Sequence, residues 1–548
     1  MEFNLALVND AIARAYPDRE AVVWGEKRFT YGDLAERTRR LANGLRDRGL
    51  GIRRDREQLK GHESGQDQLA LYLYNGNEYL EGMLGAFRAR VAPFNVNYRY
   101  VADELRYLLK DAQARGIVYH SCFAPTLAEV LPDLPDLEVL VQVADESGEA
   151  LLDGAVDYER LLATSSDEES LDDLSPDDLY ILYTGGTTGM PKGVLWRQHD
   201  IFVGAMGGRP FGGGDVFTSY DEIVESAGRG GLKVIATPPL MHGAAQWSTF
   251  TCFTGGGTVV MPEETRRLDP ASVWRAVEAE KVLTMQVVGD AFARPLIEEL
   301  EKGEYDASSL FMLVNGGAPM NPALKERFLT QLPNAGVLDA VGSSETGAQM
   351  GHVSSKGQAT TGHFTPGPGT VVVSDALDAL LAPGHEGTGW LAQTGYVPLG
   401  YLGDAEKTAR TFPVIDGVRY SVPGDRAVWR EDGIIDLLGR DSVTINSGGE
   451  KIFAEEVEQA IAQHPDVADV VVCGRPSSRW GNEVVALVQL RPGAPVTEGD
   501  LLEEAGKHLA RYKLPKAMLF LDEVVRSPAG KADYRWAKET VLTQLGEA

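Results

Sequence analysis

A short glycine- and threonine-rich segment constrains the fold of this chain most. The apolar run Leu179-Tyr180-Ile181-Leu182-Tyr183 has the composition of a buried strand, and it leads directly into Thr184-Gly185-Gly186-Thr187-Thr188-Gly189-Met190-Pro191-Lys192-Gly193. Glycine lets the main chain approach a ligand closely, so backbone N–H groups, hydroxyls and a lysine can converge on an anion. The segment predicts a polyphosphate-binding loop after a strand; a plain surface loop is the alternative.

This loop differs from the phosphate loop of P-loop NTPases. That pattern requires Gly-Lys followed directly by Ser or Thr and then a helix. Here Pro191 precedes Lys192 and Gly193 follows it, so a helix start is disfavoured at this point.

Composition excludes several classes of partner and compartment. The chain has 548 residues and a formal net charge of −28, which repels nucleic acid and anionic membranes at long range. Its three cysteines, Cys122, Cys252 and Cys473, have neither metal-ligand nor disulfide-framework spacing. No run approaches the ~18 apolar residues of a membrane span, and the N-terminus lacks a secretory apolar core. We therefore expect a cytoplasmic protein in a reducing compartment.

The order of secondary-structure patterns predicts an α/β fold with two unequal domains. Strand and helix patterns alternate from residue 4 onward, with Thr30 as a helix N-cap, which indicates a large multilobed domain with mostly parallel sheets. The polar segment 51–68 predicts an exposed loop, and the glycine-rich segment 204–231 has the composition of a linker. From residue 439 the pattern changes to a compact α+β unit. We place the large domain at 1–439, a hinge at 440–446 and a small mobile domain at 447–548.

Further along the chain, several groups of residues are suited to nucleotide chemistry. The turn Val341-Gly342-Ser343-Ser344-Glu345-Thr346-Gly347 offers hydroxyls and one carboxylate, which is a hard ligand suited to Mg²⁺. A carboxylate such as Asp425 can accept both ribose hydroxyls, and Arg440 can hold sugar or phosphate. Taken alone, each of these groups is also compatible with an ordinary turn.

In chain order, these motifs resemble those of the adenylate-forming (ANL) superfamily, which includes acyl-CoA synthetases, peptide-synthetase adenylation domains and luciferases. The departures are Gly185 for a serine in the phosphate loop, Val341 for an aromatic residue that stacks on adenine, Ser344 for a threonine, and Ser442 at the usual hinge position. Trp196-Arg197, Gly289-Asp290-Ala291 and the run from Ile445 to Lys451 are similar to bacterial acyl-CoA synthetases of the fatty-acid or steroid side-chain CoA ligase type.

This resemblance implies roles for individual residues. The implied catalytic residues are Lys531, which meets the reacting carboxylate and α-phosphate, Glu345, which also ligates Mg²⁺, and His242, at the gate between the acyl and nucleotide sites. The implied ATP- and AMP-binding residues are Thr184, Gly185, Gly186, Thr187, Thr188, Gly189, Lys192, Gly316, Gly317, Ala318, Ser343, Ser344, Asp425 and Arg440. The implied CoA-binding residues are Ser447, Gly448, Gly449 and Lys451.

The implied reaction has two halves and three small-molecule substrates. A hydrophobic carboxylic acid attacks Mg·ATP to give acyl-AMP and pyrophosphate, and the thiol of coenzyme A then gives the thioester and AMP. Apolar side chains that are candidates for an acyl pocket, or for ordinary core, are Trp247, Phe250, Phe253 and Met285. Two alternatives stay open: an acyl-AMP ligase that loads a carrier protein, and a non-catalytic nucleotide-binding relative. A homodimer is one open oligomeric state.

Overall fold

Regular elements of this protein follow the predicted alternation of strands and helices. The computed structural model describes residues 1–168, 171, 173–186, 189–210, 213–447, 450–477, 480–526 and 530–546. Up to residue 164 the elements are α1 (Leu5–Ala15), β1 (Glu20–Trp24), β2 (Lys27–Thr30), α2 (Tyr31–Arg46), β3 (Gln68–Tyr72), α3 (Asn77–Arg88), β4 (Ala92–Asn95), α4 (Ala102–Asp111), β5 (Ala114–His120), α5 (Ala124–Val130), β6 (Val139–Val143), β7 (Val156–Asp157) and α6 (Tyr158–Thr164).

The middle of the chain contains the predicted phosphate loop. Its elements are β8 (Leu179–Gly186), β9 (Gly189–Arg197), α7 (Gln198–Ala205), α8 (Tyr220–Gly228), β10 (Lys233–Ala236), α9 (Gly243–Thr254), β11 (Thr258–Met261), α10 (Pro270–Glu280), β12 (Thr284–Val287), α11 (Gly289–Leu300), β13 (Met312–Gly316), α12 (Pro322–Gln331) and β14 (Gly336–Ser343).

The last part of the chain is richer in strands. Its elements are β15 (Gly347–Ser354), β16 (His363–Pro366), β17 (Thr370–Val373), β18 (Leu380–Leu381), β19 (Gly389–Thr394), β20 (Gly400–Tyr401), α13 (Ala405–Thr411), β21 (Val414–Ile415), β22 (Val418–Ser421), β23 (Asp425–Trp429), β24 (Ile435–Arg440), β25 (Ile445–Ser447), β26 (Glu450–Ile452), α14 (Ala454–Ile461), β27 (Val467–Ser477), β28 (Gly481–Leu490), α15 (Glu498–Gly506), β29 (Ala517–Leu521) and α16 (Tyr534–Leu545).

The start of α2 shows how local sequence fixes an element. The Thr30 side chain accepts the backbone N–H of Asp33, and the Asp33 carboxylate accepts the backbone N–H of Thr30. This reciprocal capping box satisfies donors that have no partner within the helix. Leu34, Leu41 and Leu45 then lie on the buried face of α2. The predicted N-cap is confirmed.

The strands in the described residues form three sheets. The largest has the order β18-β17-β19-β23-β24-β16-β15-β14-β13-β12-β10-β11-β1-β2, with β21 and β22 beside it, and the second has the order β20-β9-β8-β4-β3-β5-β6-β7. Strands β1, β11, β10, β12, β13 and β14 pair in parallel, whereas pairing from β14 to β16 is antiparallel. The predicted α/β class is confirmed, with sheets that are mixed because hairpins extend the parallel parts.

Parallel strands place the chemistry-bearing motifs at one edge. Strands β10, β12, β13 and β14 are parallel neighbours, so their carboxyl ends meet at the same side of the sheet. The segments that follow these strands contain His242, Gly289, Gly317 and Glu345. The carboxyl edge of a parallel sheet is the usual place for ligand sites in α/β proteins.

The polar segment 51–68 is the exposed loop that its composition predicts only in its first part, because residues 52–55 are exposed and residues 65–68 are buried. The Asp67 carboxylate accepts the N–H of Gly51 at 3.0 Å and pairs with Arg53 at 2.7 Å. Gln66 Oε1 accepts the backbone N–H of Leu179 at 2.6 Å, and Gln66 and Asp67 are buried. That prediction is wrong for the end of the segment because its charges are paired internally and its last residues lead into the edge of β3.

The glycine-rich segment 204–231 is likewise more ordered than a linker. It contains α8, whose N-cap Ser219 accepts the N–H of Glu222 and whose Ile223 and Ala227 are buried. Phe211 and Gly212 of this segment lie outside the described residues.

A third sheet and its helices form the small C-terminal unit. Its strand order is β26-β25-β28-β27, with β29 beside β28. Strand β24 ends at Arg440, a single 3₁₀ turn covers Asp441–Val443, and β25 begins at Ile445. The predicted limits 1–439, 440–446 and 447–548 remain predictions. In the part of the chain that the structure describes, no helix combines the length and apolarity needed to cross a membrane.

Candidate active site

One cavity of about 2190 Å³ connects most of the residues singled out from the sequence. It extends from the carboxyl edge of the large sheet to the C-terminal unit. The predicted site residues that line it are Thr184, His242, Gly316, Gly317, Ala318, Ser343, Ser344, Glu345, Asp425, Arg440 and Lys531. These residues are separated by as many as 347 positions between Thr184 and Lys531, so only the tertiary fold brings them together.

The predicted phosphate loop is the connection of an antiparallel hairpin. Gly185 and Gly186 end β8, Gly189 begins β9, and Gly186 pairs with Gly189 across the hairpin. Thr184 lies opposite Lys192 in the same ladder. Thr187 and Thr188, which the sequence assigns to phosphate binding, lie outside the described residues.

Lys192 is held by an acidic residue that the sequence motifs did not indicate. Its Nζ lies 3.0 Å from Asp111 Oδ1, at the end of α4. Tyr183 Oη donates to Asp111 Oδ2 at 2.9 Å, and Tyr107 Oη donates to Oδ1 at 3.2 Å. Burial lowers the pKa of Lys192, but hydrogen bonding and charge at Asp111 outweigh it, so the pKa is raised. No local pattern near Asp111 pointed to this role.

The glycine pair after β13 rests on a buried polar cluster. Asn315 Nδ2 donates to Asp339 Oδ1 at 2.9 Å, and Asn315 Oδ1 accepts the N–H of Gly289 at 2.8 Å. Asp339 also pairs with the fully buried Lys325. Gly317 has a φ of +85°, a conformation that non-glycine residues rarely adopt. The cluster therefore fixes the peptide planes of residues 316–318 at the cavity wall.

Glu345 stands at the turn between β14 and β15 and is fixed from two directions. Tyr401 Oη donates to Glu345 Oε1 at 2.7 Å, and Ser421 Oγ donates to the Glu345 carbonyl at 2.6 Å. Trp196 Nε1 donates to the Ser344 carbonyl at 2.8 Å. Among the described residues, Oε1 is the hydrogen-bonded oxygen of the Glu345 carboxylate, so the other oxygen remains for a ligand.

Asp425 and Arg440 form a pair across neighbouring strands. They are directly opposite in the β23–β24 ladder, with Arg440 Nε 3.3 Å from Asp425 Oδ1. Glu455, at the start of α14, accepts the N–H of Arg440 at 3.4 Å. Gly439 makes this contact possible, since a Cβ there would lie 2.3 Å from Glu455 Oε2.

Lys531 reaches the cavity from the C-terminal unit. Its side chain lines the cavity and keeps accessible surface there. A Cβ at Gly317 would lie 4.0 Å from Lys531 Cε, so the lysine stem passes the glycine pair at van der Waals distance. Burial, and then the charge of Arg440, lower the pKa of Lys531; Glu345 and Asp425 act in the opposite direction.

His242 is the N-cap residue of α9 and lines the cavity. Burial lowers its pKa to about 3, and the charges of Lys531 and Arg99 act in the same direction. Nε2 is buried and has no hydrogen-bond partner among the described residues. The ring is therefore neutral at physiological pH.

The structure describes only part of the predicted CoA-binding hairpin. Ser447 ends β25 and pairs with Glu450 at the start of β26, and it does not line the cavity. Gly448 and Gly449 lie outside the described residues, and so does the side chain of Lys451, whose backbone belongs to β26. Of the four predicted CoA-binding residues, the structure therefore shows only Ser447 to be separate from the cavity.

Of the four candidate acyl-pocket residues, only Trp247 lines the cavity. Trp247, Ser248 and Thr251 share the cavity face of α9, whereas Phe250 and Phe253 lie on its other face in the core around α1–α3. Strand alternation has the same effect in β12, where Thr284 and Gln286 face the cavity and Met285 faces the opposite core. For Phe250, Phe253 and Met285 the ordinary-core alternative is therefore confirmed, because helix and strand periodicity turn them away from the cavity.

A glycine-rich hairpin, a carboxylate at a turn and a lysine from a second unit, all around one cavity, are typical of enzymes that activate acids as adenylates. Residues 10–402 match the family model "AMP-binding enzyme", and residues 456–531 match "AMP-binding enzyme C-terminal domain". The chain belongs to the AMP-binding enzyme family.

Named relatives of this chain are CoA ligases. The chain is 60% identical to "Medium-chain acyl-CoA ligase Mig" of Mycobacterium avium over 98% of each chain. It is 42% identical to "Medium/long-chain-fatty-acid--CoA/3-oxocholest-4-en-26-oate--CoA ligase" of Mycobacterium marinum, over 98% of this chain and 96% of that one. The prediction of an AMP-forming acyl-CoA ligase is confirmed.

Solved structures agree on the fold. The anthranilate CoA ligase AuaEII in complex with anthranoyl-AMP has a TM-score of 0.82 at 19% identity, covering 99% of this chain and 98% of that chain. ATP-bound MatB from Rhodopseudomonas palustris has a TM-score of 0.78 at 22% identity, covering 100% of both chains. These similarities extend over both the large and the small unit.

Proposed function

We propose that this protein activates a medium-chain fatty acid with ATP and transfers the acyl group to coenzyme A. The observation that carries this proposal is the meeting of Lys531 with Glu345, Asp425 and Arg440 in one cavity. Such a cavity can hold an adenylate between a metal-ligating carboxylate, a ribose-binding carboxylate and an ammonium group. The 60% identical relative is named for medium-chain acids.

In the first half-reaction, the nucleotide lies along the carboxyl edge of the large sheet. Its adenine packs against residues 316–318 and Val341, and its ribose hydroxyls donate to Asp425. Thr184, Ser343, Ser344 and Lys192, with Thr187 and Thr188, hold the phosphates. Lys531 stabilises the negative charge that develops as the acid attacks the α-phosphorus.

A Mg²⁺ ion fits the residues at the β14–β15 turn. Glu345 offers one carboxylate oxygen beyond the one that Tyr401 engages, and Mg²⁺ in nucleotide sites is bound by one or two carboxylates together with phosphate oxygens and waters. The described residues contain no cluster of three or more acidic, histidine or cysteine side chains suited to a metal. The ion would thus come with ATP and neutralise phosphate charge.

The second half-reaction requires a different placement of the C-terminal unit. Ser447, which we propose binds CoA together with Gly448, Gly449 and Lys451, does not line the cavity. A pantetheine arm held at Ser447 in this arrangement would have no access to acyl-AMP. Rotation about residues 440–446 withdraws Lys531 and brings the β25–β26 hairpin to the cavity. His242, neutral and at the junction of the nucleotide and acyl ends, orients the substrate carboxylate.

A steroid side-chain acid is the second candidate substrate. The cavity of about 2190 Å³ is larger than the usual upper range of about 1,000 Å³ for a ligand pocket, and it accommodates both a nucleotide and a bulky acyl group. Relatives at 40–42% identity are named for 3-oxocholest-4-en-26-oate. The higher identity to the medium-chain enzyme favours the fatty acid.

The test is AMP release from ATP with octanoate, palmitate and a sterol side-chain acid, each with and without CoA. The proposal expects the highest kcat/KM for octanoate and CoA-dependent AMP release. A preference for the sterol acid would select the second candidate. Turnover only with a carrier-protein phosphopantetheine arm would select the carrier-loading alternative, and absence of acid-dependent pyrophosphate exchange would indicate a non-catalytic relative. Light scattering of the same sample tests a homodimer.

A further inference from the structure

The phosphate-loop lysine has a built acidic partner in a different part of the chain. Lys192 Nζ lies 3.0 Å from Asp111 Oδ1, and both side chains are more than two-thirds buried. Asp111 ends α4, whereas Lys192 belongs to β9 of the neighbouring sheet. This contact joins a helix of the N-terminal part to the predicted phosphate loop, whose Met190 and Pro191 line the cavity next to Lys192.

Two tyrosine hydroxyls fix the Asp111 carboxylate. Tyr183 Oη donates to Oδ2 at 2.9 Å, and Tyr107 Oη donates to Oδ1 at 3.2 Å. The Tyr183 ring lies against the bare backbone of Gly193, where a Cβ would be 2.8 Å from Tyr183 Cε2. Gly193 thus lets the ring lie flat and direct its hydroxyl to Asp111.

We propose that Asp111 is a positioning residue that holds the Lys192 ammonium toward the β- and γ-phosphates of ATP. An ammonium group has three donors, so one can remain on Asp111 while the others bind phosphate oxygens. A lysine side chain loses conformational entropy when it is fixed in one rotamer. Because Asp111 already fixes Lys192 in the free protein, this entropy is not lost again when ATP binds. This role rests on the proposed use of Lys192 in phosphate binding.

The alternative is that Asp111 competes with phosphate for the lysine and weakens ATP binding. The hydrogen bonds from Tyr183 and Tyr107 argue against this role. A carboxylate that must release Lys192 whenever ATP binds would not need two tyrosine hydroxyls to fix its position. The two roles predict opposite changes in ATP affinity when the charge of Asp111 is removed.

The test compares nucleotide affinities of the full-length protein by isothermal titration calorimetry, without any acid. Asp111→Asn should raise the Kd for ATP on the order of tenfold, as expected for loss of one charge-assisted contact. The Kd for AMP, which has no β- or γ-phosphate, should stay unchanged. The matched control is Asp103→Asn on the same helix, because Asp103 pairs with Arg106 at the surface and should leave both affinities unchanged.

A double-variant cycle separates positioning from a general structural effect. In a Lys192→Ala background, Asp111→Asn should not weaken ATP binding further. Tighter ATP binding by Asp111→Asn, equal weakening of ATP and AMP, or additive effects in the cycle would each overturn the proposal. Tyr107→Phe, which leaves the carboxylate in place but removes one anchor, should weaken ATP binding about two- to threefold and serves if Asp111→Asn does not fold.

Activity then distinguishes this inference from the proposed function. In the wild type, acid-dependent pyrophosphate exchange tests the ligase itself. If the wild type is active, Asp111→Asn should raise the KM for ATP while leaving the KM for the acid and the conversion of supplied acyl-AMP to thioester unchanged. An inactive wild type that still binds ATP more tightly than its Asp111→Asn variant would refute the proposed function and not the positioning role.

Discussion

Lys531 shows how one residue acquires chemistry from its surroundings. In the sequence it is one lysine in the segment Gly530-Lys531-Ala532, and most lysines of that kind are solvated surface. In the structure it shares a cavity with Glu345, Asp425 and Arg440. Its pKa is lowered, first by burial and then by the guanidinium of Arg440. Because the protonated form carries the charge, a lowered pKa means that this form is lost at lower pH than in an ordinary lysine.

We expect the alkaline limb of the adenylation profile to report Lys531. The kcat/KM for ATP in pyrophosphate exchange is measured from about pH 6 to about pH 10. As the pH rises, kcat/KM should begin to decline at a pH below 10.5, the ordinary pKa of lysine. Lys531→Ala should reduce adenylation on the order of 10²–10³-fold, while thioester formation from supplied acyl-AMP is retained. Lys531→Arg should move the alkaline limb to higher pH, because the guanidinium group of arginine stays charged in this pH range. Equal loss of both half-reactions in Lys531→Ala would contradict this role.

Helix α14 shows how an element couples the small unit to the nucleotide site. Its Glu455 contacts the backbone of Arg440, and its Glu458 accepts the N–H of Val472 at 2.8 Å and the hydroxyl of Tyr534 at 3.3 Å. Burial, and then the neighbouring Glu455, raise the pKa of Glu458. With a pKa of about 8, the folded small unit keeps this carboxyl mostly protonated at neutral pH, where the unfolded chain is ionised, and this difference lowers the stability of the small unit.

Glu458→Gln should stabilise the protein at neutral pH and above. A carboxyl whose folded-state pKa is raised contributes stability below its unfolded pKa, and that contribution is lost as pH rises through the folded value. Thermal unfolding is measured at about pH 5 and at about pH 8. At about pH 5, variant and wild type should have similar Tm values, and at about pH 8 the variant should have the higher Tm. The control is Glu456→Gln, which removes a surface pair with Lys513. If the Tm of the wild type falls no more than that of Glu458→Gln between about pH 5 and about pH 8, the Glu458 carboxyl does not destabilise the protein in this pH range.

At the scale of the whole molecule, the two units meet at one cavity and at a direct hydrogen bond. Lys531 of the small unit lines the nucleotide cavity, and Asn321 Nδ2 of the large unit donates to the Ala462 carbonyl of the small unit at 2.5 Å. Ser447, a predicted CoA-binding residue, does not line the cavity in the same structure. Under the proposed residue roles, this arrangement suits adenylation.

Fixing the two units in this arrangement should separate the two half-reactions. Cysteines at positions 321 and 462, joined by a thiol-specific bifunctional reagent that a reductant can cleave, should retain pyrophosphate exchange but lose most thioester formation. Cleavage of the linker with the reductant should restore thioester formation. The reduced double variant therefore serves as the control for effects of the two substitutions themselves. Cys122 is replaced by Ser beforehand, and Cys252 and Cys473 are buried. Full thioester formation in the linked protein would mean that no rotation is needed.

Local signals in the sequence determined much of the fold and the composition of the site. The capping box at Thr30, the apolar strand before Thr184 and the order of motifs up to Lys531 are short-range patterns, and the family relationship confirms the class that they indicate. Periodicity also located the small C-terminal unit. The limits of its hinge and the roles of single residues remain predictions.

The tertiary structure alone decided which side chains meet. Asp111, Tyr401 and Ser421 belong to no motif, yet they fix Lys192 and Glu345, because contacts across sheets depend on how distant elements pack. The same packing turned Phe250 and Met285 away from the cavity and buried Gln66 and Asp67. A sequence specifies local conformation through neighbouring residues, whereas the partner of a buried charge is set by elements that are distant in the chain and close in space.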